Sequence, residues 1–307
     1  MRKWNLQQAI ELYGGGKNYR QICKIINEQG FDLVPNTIAS AIKELPNKVE
    51  LKLKRKQNLI DPPNESEQEI VYDKKYKKPI LVFSDVHIPF NHKHYLKFIK
   101  DIDHKFNCDE QKICTGDLVD NHAISRHKKS GDADGAKREY LNAKEEIKKF
   151  VEAFPKVKFT IGNHDAIPSR QASEIGLYYG FLKSFAEAWE LPPTWEISTK
   201  FVYKDVLYKH GINCGGVNGA RATAIKEAKS TVIGHIHSHG GIHYAANNTK
   251  MIFGANAGCG IDTKAYAFEY GKEFKDKPTI GCVVVFSPSF AIFVPMAIDY
   301  YNKKYGR

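Results

Sequence analysis

The nine residues Val157–Asp165 read VKFTIGNHD and form the most informative stretch of the chain. A short apolar run typical of a buried strand ends there in Gly162 and Asn163, residues that commonly mark the change from strand to loop. His164 and Asp165 could be ordinary surface residues, so this stretch alone does not establish chemistry. Its meaning depends on whether other strands of the chain end in the same way.

Side chains that can bind metals follow five predicted strands. They are Asp85 and His87 after Pro79–Phe83, Asp117 and Asp120 after Gln111–Thr115, Asn163 after Val157–Ile161, His210 after 206–209, and His235 and His237 after 231–234. All twelve histidines fall between His87 and His243. Because the loops at the carboxyl ends of strands converge in α/β sheets, these side chains are predicted to share one site.

The donor chemistry of this set indicates divalent metals. Carboxylates, imidazoles and an amide oxygen without sulfur suit hard or borderline ions. Asp-x-His and His-x-His place alternate side chains on one side of an extended segment, so that both reach one cavity. The donors exceed what one ion needs, which favours two ions that share a carboxylate.

The alternation of strands with helices predicts an α/β domain. Helices are predicted over His94–Phe106, Leu141–Phe154 and Ser173–Trp189, and a hairpin is predicted over Thr279–Phe286 and Phe290–Pro295.

Residues 1–46 are predicted to form three short helices. The third follows Pro35, and the arrangement resembles a helix-turn-helix unit that binds DNA. In that interpretation Asn36, Thr37, Ser40 and Lys43 face the major groove. A small helical bundle for docking or dimerisation is the alternative.

Residues 47–77 are predicted to be a linker, because Pro62-Pro63 and mixed charges occur without apolar periodicity. Its basic run, Lys52, Lys54, Arg55 and Lys56, either grips nucleic-acid phosphates beside the helical unit or is a solvated spacer.

Composition narrows the class of protein. The chain has 307 residues, 42% of them hydrophobic, which suits a folded protein of about two domains. A net charge of +11 favours polyanionic partners or simple solubility. No apolar run reaches the length of a membrane span, and the N-terminus lacks the apolar core of a signal peptide. Six scattered cysteines favour a reducing compartment, so a cytoplasmic location is expected.

Five blocks resemble the calcineurin-like metallophosphoesterase superfamily, in its order, over about residues 78–295. They are Asp85-Val86-His87, Gly116-Asp117-Leu118-Val119-Asp120, Gly162-Asn163-His164-Asp165, His210-Gly211 and Gly234-His235-Ile236-His237. The resemblance implies a two-sheet α/β/β/α sandwich over residues 78–307, preceded by the small all-α domain.

The resemblance also implies a role for each block residue. Asp85, His87 and His237 would hold one metal, Asn163, His210 and His235 the other, and Asp117 would bridge them. His164 would stand near the leaving group, oriented by Asp120, and Asp165 would support its own turn. Two divalent ions are expected, Mn²⁺ first, with Fe, Zn, Ni or Mg open. His122, His127, His239 and His243 are interpreted as structural, with a place in the substrate cleft as the alternative.

Departures from the superfamily pattern bear on the substrate. Asn121-His122 stands where the Ser/Thr protein phosphatases continue with Arg-Gly, so the phosphate-clamping arginine is absent from that position, and Arg126 and Arg170 are the candidates to replace it. The Asp-ending third block and the His-x-His ending are more similar to the nuclease and phosphodiesterase branches, including Mre11-like nucleases. The sequence therefore predicts a two-metal phosphodiesterase acting on nucleic acid, with DNA as the expected substrate and a homodimer left open. The alternatives are a phosphatase or phosphodiesterase of small nucleotides or phosphoproteins, and a DNA-binding regulator with a non-catalytic domain.

Overall fold

The computed structural model describes residues 5–14, 17–45, 77–126, 133–265 and 277–306. The chain divides into two compact units, Met1–Val71 and Tyr72–Arg307. Most of the predicted linker, including Lys52, Lys54, Arg55 and Lys56, lies outside the described residues, and the domain boundaries stay a prediction. Within the described ranges, no helix combines the length and the apolar character that a bilayer crossing requires.

The first unit contains the three helices expected from the sequence, α1 (Leu6–Gly14), α2 (Tyr19–Asn27) and α3 (Pro35–Lys43). Their apolar faces pack into one core, which includes Ile22, Ile38 and Ile42. The turn between α2 and α3 is fixed by Asn27, which accepts from the main-chain N–H of Leu33 at 2.9 Å and donates to its carbonyl oxygen at 3.0 Å. The opposite face of α3 is exposed.

The strands in the described part of the second unit are β1 (Ile80–Phe83), β2 (Lys112–Cys114), β3 (Val157–Thr160), β4 (Trp195–Ser198), β5 (Lys200–Tyr203), β6 (Val206–Lys209), β7 (Thr231–Ile233), β8 (Gly240–Ala246), β9 (Met251–Ala257), β10 (Gly281–Ser287) and β11 (Phe290–Pro295). They form two sheets. The first has the order β11-β10-β1-β2-β3-β4, with β1 to β4 parallel and the β10–β11 hairpin antiparallel at one edge. The second has the order β5-β6-β7-β9-β8, in which β6, β7 and β9 are parallel.

Helices cover the outer faces of the sheets. They are α4 (Tyr95–Phe106), α5 (Ala136–Ala153), α6 (Ile167–Glu174), α7 (Phe185–Trp189), α8 (Gly219–Lys226) and α9 (Ile298–Tyr305), with 3₁₀ helices at His122–Ile124 and Tyr179–Phe181. The single helix predicted over Ser173–Trp189 is wrong. Gly176, at φ +70°, ends α6, and the chain re-enters helical structure only at the 3₁₀ turn and at α7.

Strand β1 shows how the layers are held together. Val82 points toward the second sheet and packs with Phe253 of β9, whereas Phe83 points the other way and packs with Phe98 and Phe150 from α4 and α5. Because strand side chains alternate between faces, one apolar strand stabilises both contacts. The expected α/β/β/α sandwich and hairpin are confirmed.

Candidate metal centre

The predicted ligands follow the carboxyl ends of strands from both sheets. Asp85 and His87 follow β1, Asp117 follows β2, Asn163 follows β3, His210 follows β6, and His235 and His237 follow β7. Within each sheet the strands that precede these residues are parallel to one another, so their carboxyl ends lie at one edge of that sheet. The edges of the two sheets meet at the site.

The first donor group combines Asp85, His87, Asp117 and His237, whose ligand atoms lie within 4.8 Å of one another. His237 Nε2 is 3.1 Å from Asp85 Oδ1 and 3.1 Å from His87 Nε2. His87 Nε2 is 3.8 Å from Asp117 Oδ2. All but His237 are buried.

The second donor group combines Asp117, His210 and His235 within the same 4.8 Å limit. His210 Nε2 lies 3.1 Å from Asp117 Oδ2 and 2.9 Å from Asn163 Oδ1, which brings the amide oxygen into the group. Asp117 belongs to both groups, in keeping with the predicted sharing of one carboxylate by two ions. The individual ligand roles stay predictions.

The hydrogen bonds behind two histidines show that the donor set fits cations. His87 Nδ1 lies 2.7 Å from Asp120 Oδ2, and His210 Nδ1 lies 2.9 Å from the carbonyl oxygen of Thr115. Because each Nδ1–H donates to an oxygen, a neutral ring would direct the lone pair of Nε2 toward the carboxylate of Asp117. Acceptors that converge on acceptors repel one another unless positive charge lies between them, and divalent ions supply it.

The pKa values report the same demand for positive charge. Burial lowers the pKa of His87, but the Asp120 hydrogen bond and the nearby carboxylates outweigh it and raise the pKa to about 9. Burial also opposes protonation of His210, yet Asp117 raises its pKa to about 10. The pKa of Asp117 is lowered far below its usual range, because His210 and His87 outweigh the effect of burial.

Several site residues adopt the left-handed backbone region that non-glycine residues usually avoid. The φ angles are +49° at Asp85, +55° at His87, +50° at Asp117 and +71° at His235. Each such residue costs on the order of 1–3 kcal/mol and persists only where its surroundings fix it. Here the main-chain N–H of Asp85 donates to the main-chain carbonyl oxygen of Gly116 at 2.9 Å, and that of His87 donates to the main-chain carbonyl oxygen of Asp117 at 3.0 Å.

The third and fifth blocks each begin with a glycine, Gly162 and Gly234, because no side chain fits at these positions. A Cβ atom at Gly162 would lie 2.1 Å from Asp117 Oδ1, and one at Gly234 would lie 2.3 Å from Asp85 Oδ2. No larger residue fits at either position, because the carboxylates pack directly on the backbone. The glycines are therefore part of the ligand geometry.

His164 lies beside both donor groups. Its main-chain N–H donates to Asp117 Oδ1 at 2.8 Å, and its Nδ1 lies 2.7 Å from the main-chain carbonyl oxygen of Asp120. The carboxylate of Asp120 is 3.9 Å from His164 Nδ1 and bonds to His87 instead. Asp120 thus contacts His164 through its main-chain carbonyl oxygen rather than through its carboxylate. Burial and the neighbouring His87 lower the pKa of His164.

Asp165 ties two blocks together rather than only its own turn. Its carboxylate accepts from the main-chain N–H groups of Gly162 at 2.8 Å, Asp117 at 2.8 Å and Val119 at 3.2 Å. Burial and the nearby Asp117 raise its pKa to about 7. The bonds to Asp117 and Val119 span more than forty residues, so no local pattern predicted them.

Asn121 and Glu139 also support the site, although no sequence pattern pointed to this role for either residue. Asn121 Nδ2 donates to the main-chain carbonyl of His164 at 2.9 Å. Glu139, in the first turn of α5, accepts from the main-chain N–H of Ala123 at 2.7 Å. Burial raises the pKa of Glu139 to about 7.

An open pocket of about 260 Å³ adjoins His164 and Asn163 and contains both candidate arginines. Arg170 donates from Nη2 to the main-chain carbonyl of Asn163 at 2.8 Å. Arg126 forms a 2.5 Å ion pair with Glu174 on α6. The pocket therefore places both guanidinium groups beside the donor groups. The sequence had left open which of the two arginines binds the phosphate.

The other predicted residues do not belong to the two donor groups. Asn36, Thr37, Ser40 and Lys43 are all exposed on α3. Of the four histidines interpreted as structural, His122 is buried, His239 and His243 are half-buried, and His127 lies outside the described residues.

In a comparison with known protein families, the matched part of the chain includes all the residues of the two donor groups. The family described as calcineurin-like phosphoesterases matches residues 78–257, more than half of the chain. No curated protein gives a significant match.

Two solved structures are among those similar to this chain. Nuclease MPE of Pseudomonas putida shares 14% identity at a TM-score of 0.35 and covers 71% of this chain and 87% of its own. Vps29 of Chaetomium thermophilum shares 15% identity at a TM-score of 0.30 and covers 60% and 72%. At these TM-scores neither likeness carries information about substrate.

Proposed function

The chain belongs to the calcineurin-like phosphoesterase family, and we propose that it is a two-metal phosphodiesterase that cleaves nucleic acid, with DNA as its substrate. The family domain and its ligand groups make it a metal-dependent phosphoester hydrolase. The number of ions, the diester preference and the DNA substrate are our proposal.

The observation that carries the proposal is the sharing of Asp117 by two donor groups, with His164 beside both. Divalent cations bound in such a site neutralise the charge of a phosphate ester and activate water as the nucleophile. Mn²⁺ is the proposed ion, since the donors are carboxylate, imidazole and amide oxygen.

The protein's own contribution is to fix these donors before a substrate arrives. Asp120 and the Thr115 carbonyl hold the rings of His87 and His210 in one tautomer. Asp165 fixes the loops that carry Asp117 and Asn163. Such preorganisation means that no ligand has to be reoriented during the reaction.

His164 is proposed to act on the leaving group. With Nδ1 held by the Asp120 carbonyl, proton exchange takes place at Nε2. An imidazolium at this position stabilises the charge that develops on the leaving oxygen or protonates that oxygen. Arg170, held against Asn163, is proposed to bind a non-bridging phosphate oxygen in the adjoining pocket.

Charge and exposure support nucleic acid as the substrate. The chain carries a net charge of +11, and a groove between α4 and α5 is lined by Lys93, Lys97, Lys100 and Lys149, among others. In the first unit, the exposed face of α3 offers short polar side chains and Lys43, as a recognition helix would. Both surfaces suit a phosphate backbone.

The decisive experiment supplies Mn²⁺ to metal-stripped protein and offers bis-p-nitrophenyl phosphate, p-nitrophenyl phosphate, and labelled single- and double-stranded DNA. We expect hydrolysis of the diester and of DNA that exceeds hydrolysis of the monoester. Asp117→Asn, purified identically, controls for contaminating nuclease and should be inactive. Turnover of the monoester alone would contradict the proposal.

A further inference from the structure

Four large apolar side chains are exposed together just after α6. Ile175 is 80% exposed, Tyr178 72% and Phe181 77%, and Leu177 lies between them at 37%. We call these four residues the aromatic rim. The rings of Tyr178 and Phe181 contact each other, and exposed apolar side chains in contact are more typical of a binding site than single ones.

The backbone holds the rim in a defined conformation. Gly176 turns the chain at φ +70°, and the main-chain N–H of Leu177 donates back to Ala172 at 2.8 Å. The main-chain N–H of Phe181 donates to Tyr178 at 3.0 Å, and the 3₁₀ helix that ends at Phe181 lies against α6. The rings of Tyr178 and Phe181 stand perpendicular with centroids 5.9 Å apart. Two aromatic faces are therefore positioned before any ligand binds.

Helix α6 connects the rim to the metal centre. It begins two residues after Asp165, and its Arg170, Gln171 and Glu174 line the 260 Å³ pocket that also contains His164. An eight-residue helix is about 12 Å long. The length of this one short helix thus separates the rim from the donor groups, and the pocket with the two arginines lies beside that helix.

We propose that the aromatic rim stacks an unpaired nucleobase of a single-stranded nucleic acid whose neighbouring phosphate enters the arginine pocket. Aromatic side chains stack on any base, and arginines bind the backbone between bases. Bases in a duplex are already stacked on both sides, so the rim favours single strands. This inference rests on the proposed function and names its substrate class.

The test compares full-length variants loaded with Mn²⁺ on a labelled single-stranded oligonucleotide and on its duplex. Phe181→Ala should lower kcat/KM on the single strand roughly 5- to 100-fold, the range expected for loss of one stacking contact. Phe181→Trp should retain activity, whereas Phe181→Leu, which is apolar but not aromatic, should resemble the alanine variant. Tyr300→Ala removes a ring of similar exposure, 54%, from α9 and should have no effect.

Oligonucleotides with one abasic position separate base stacking from other roles of the rim. With the wild type, an abasic residue at the stacked position should reproduce the loss caused by Phe181→Ala. On that abasic strand, Phe181→Ala should cause no further loss. An equal loss on intact and abasic strands would overturn the proposal.

Two other outcomes would also overturn it, and they are distinguishable. If the metal-loaded wild type cleaves no nucleic acid, the proposed function itself fails. If the wild type cleaves single strands but Phe181→Ala does so equally well, only the rim assignment fails. In the latter case light scattering shows whether Phe181→Ala changes the molecular mass, as it would if the rim joins two copies of the chain.

Discussion

The helical unit and the two-sheet unit use polar side chains in opposite ways. On α3, Asn36, Ser40 and Lys43 are exposed, whereas Asp85 and Asp117 in the two-sheet unit are at most 1% exposed. A buried charge is stable only with its partners, so the site forms one interdependent set. An exposed polar face has no such dependence, and its residues contribute separately. Substitutions should therefore have large effects in the second unit and small, additive effects in the first.

Asp117→Asn should produce the largest effect, because it removes the carboxylate common to both donor groups. We expect loss of bound metal and a fall in diester hydrolysis on the order of 10⁴-fold, since metal ions contribute several kcal/mol of transition-state stabilisation. Metal content by mass spectrometry and steady-state kinetics measure this. A variant with full metal content and wild-type turnover would show that the Asp117 carboxylate is not a ligand shared by two metals.

His164→Ala should slow turnover by about 10²- to 10⁴-fold, the usual contribution of an acid–base group, while metal content stays unchanged. The same two measurements apply, and Asp117→Asn serves as the reference that loses metal. The role assigned to His164 is contradicted if its alanine variant loses metal as completely as Asp117→Asn does.

Glu139→Gln tests whether the interdependence of the buried polar residues includes Glu139, which supports the site from behind. The folded-state pKa of Glu139, about 7, lies above its ordinary value of 4.5. Its stabilising contribution is therefore present below pH 4.5 and is lost as the pH rises from 4.5 through 7.

The glutamine variant lacks this loss, so its unfolding free energy relative to the wild type should improve by roughly 1–3 kcal/mol between pH 5 and pH 8. Urea denaturation of both proteins at the two pH values gives the difference. A difference that does not change with pH would show that the carboxyl does not titrate in this range.

Lys43→Ala should have the smallest effect, because it removes one exposed charge from α3. We expect weaker DNA binding with a salt slope reduced by about 0.9 if Lys43 contacts a duplex phosphate. Lys24→Ala removes the same charge from the exposed side of α2 and is the matched control. Fluorescence anisotropy at several salt concentrations distinguishes them, and identical slopes for both variants would favour the docking bundle.

The parts of the site that the sequence predicted are those encoded within short blocks. Asp85 and His87, or His235 and His237, carry their spacing with them, and a strand before each block fixes the edge where it lies. The partner of the Asp120 carboxylate was not predictable in this way. It is His87 rather than His164, a choice made by the packing of β1 against β2.

The fold was predicted best where periodicity is strong and worst where glycine interrupts it. Apolar strands such as β1 and β3 were located to within a residue or two. The predicted helix over Ser173–Trp189 failed, because its apolar residues have helical spacing but Gly176 takes a left-handed conformation. Ile175, Leu177, Tyr178 and Phe181 of that stretch form the exposed rim, whereas Trp189 at its end is buried.

The division of the donors between two sheets couples metal binding to the assembly of the domain. Asp85, His87, Asp117 and Asn163 follow strands of the first sheet. His210, His235 and His237 follow strands of the second sheet, which come later in the chain than β1, β2 and β3. During synthesis the first four emerge before their partners exist, so the centre can assemble only after the second sheet has docked. Ions then act as ligands of the folded state, and a free concentration of 100 Kd adds about 2.7 kcal/mol per independent site to its stability. Chelation should thus lower the melting temperature as well as the activity.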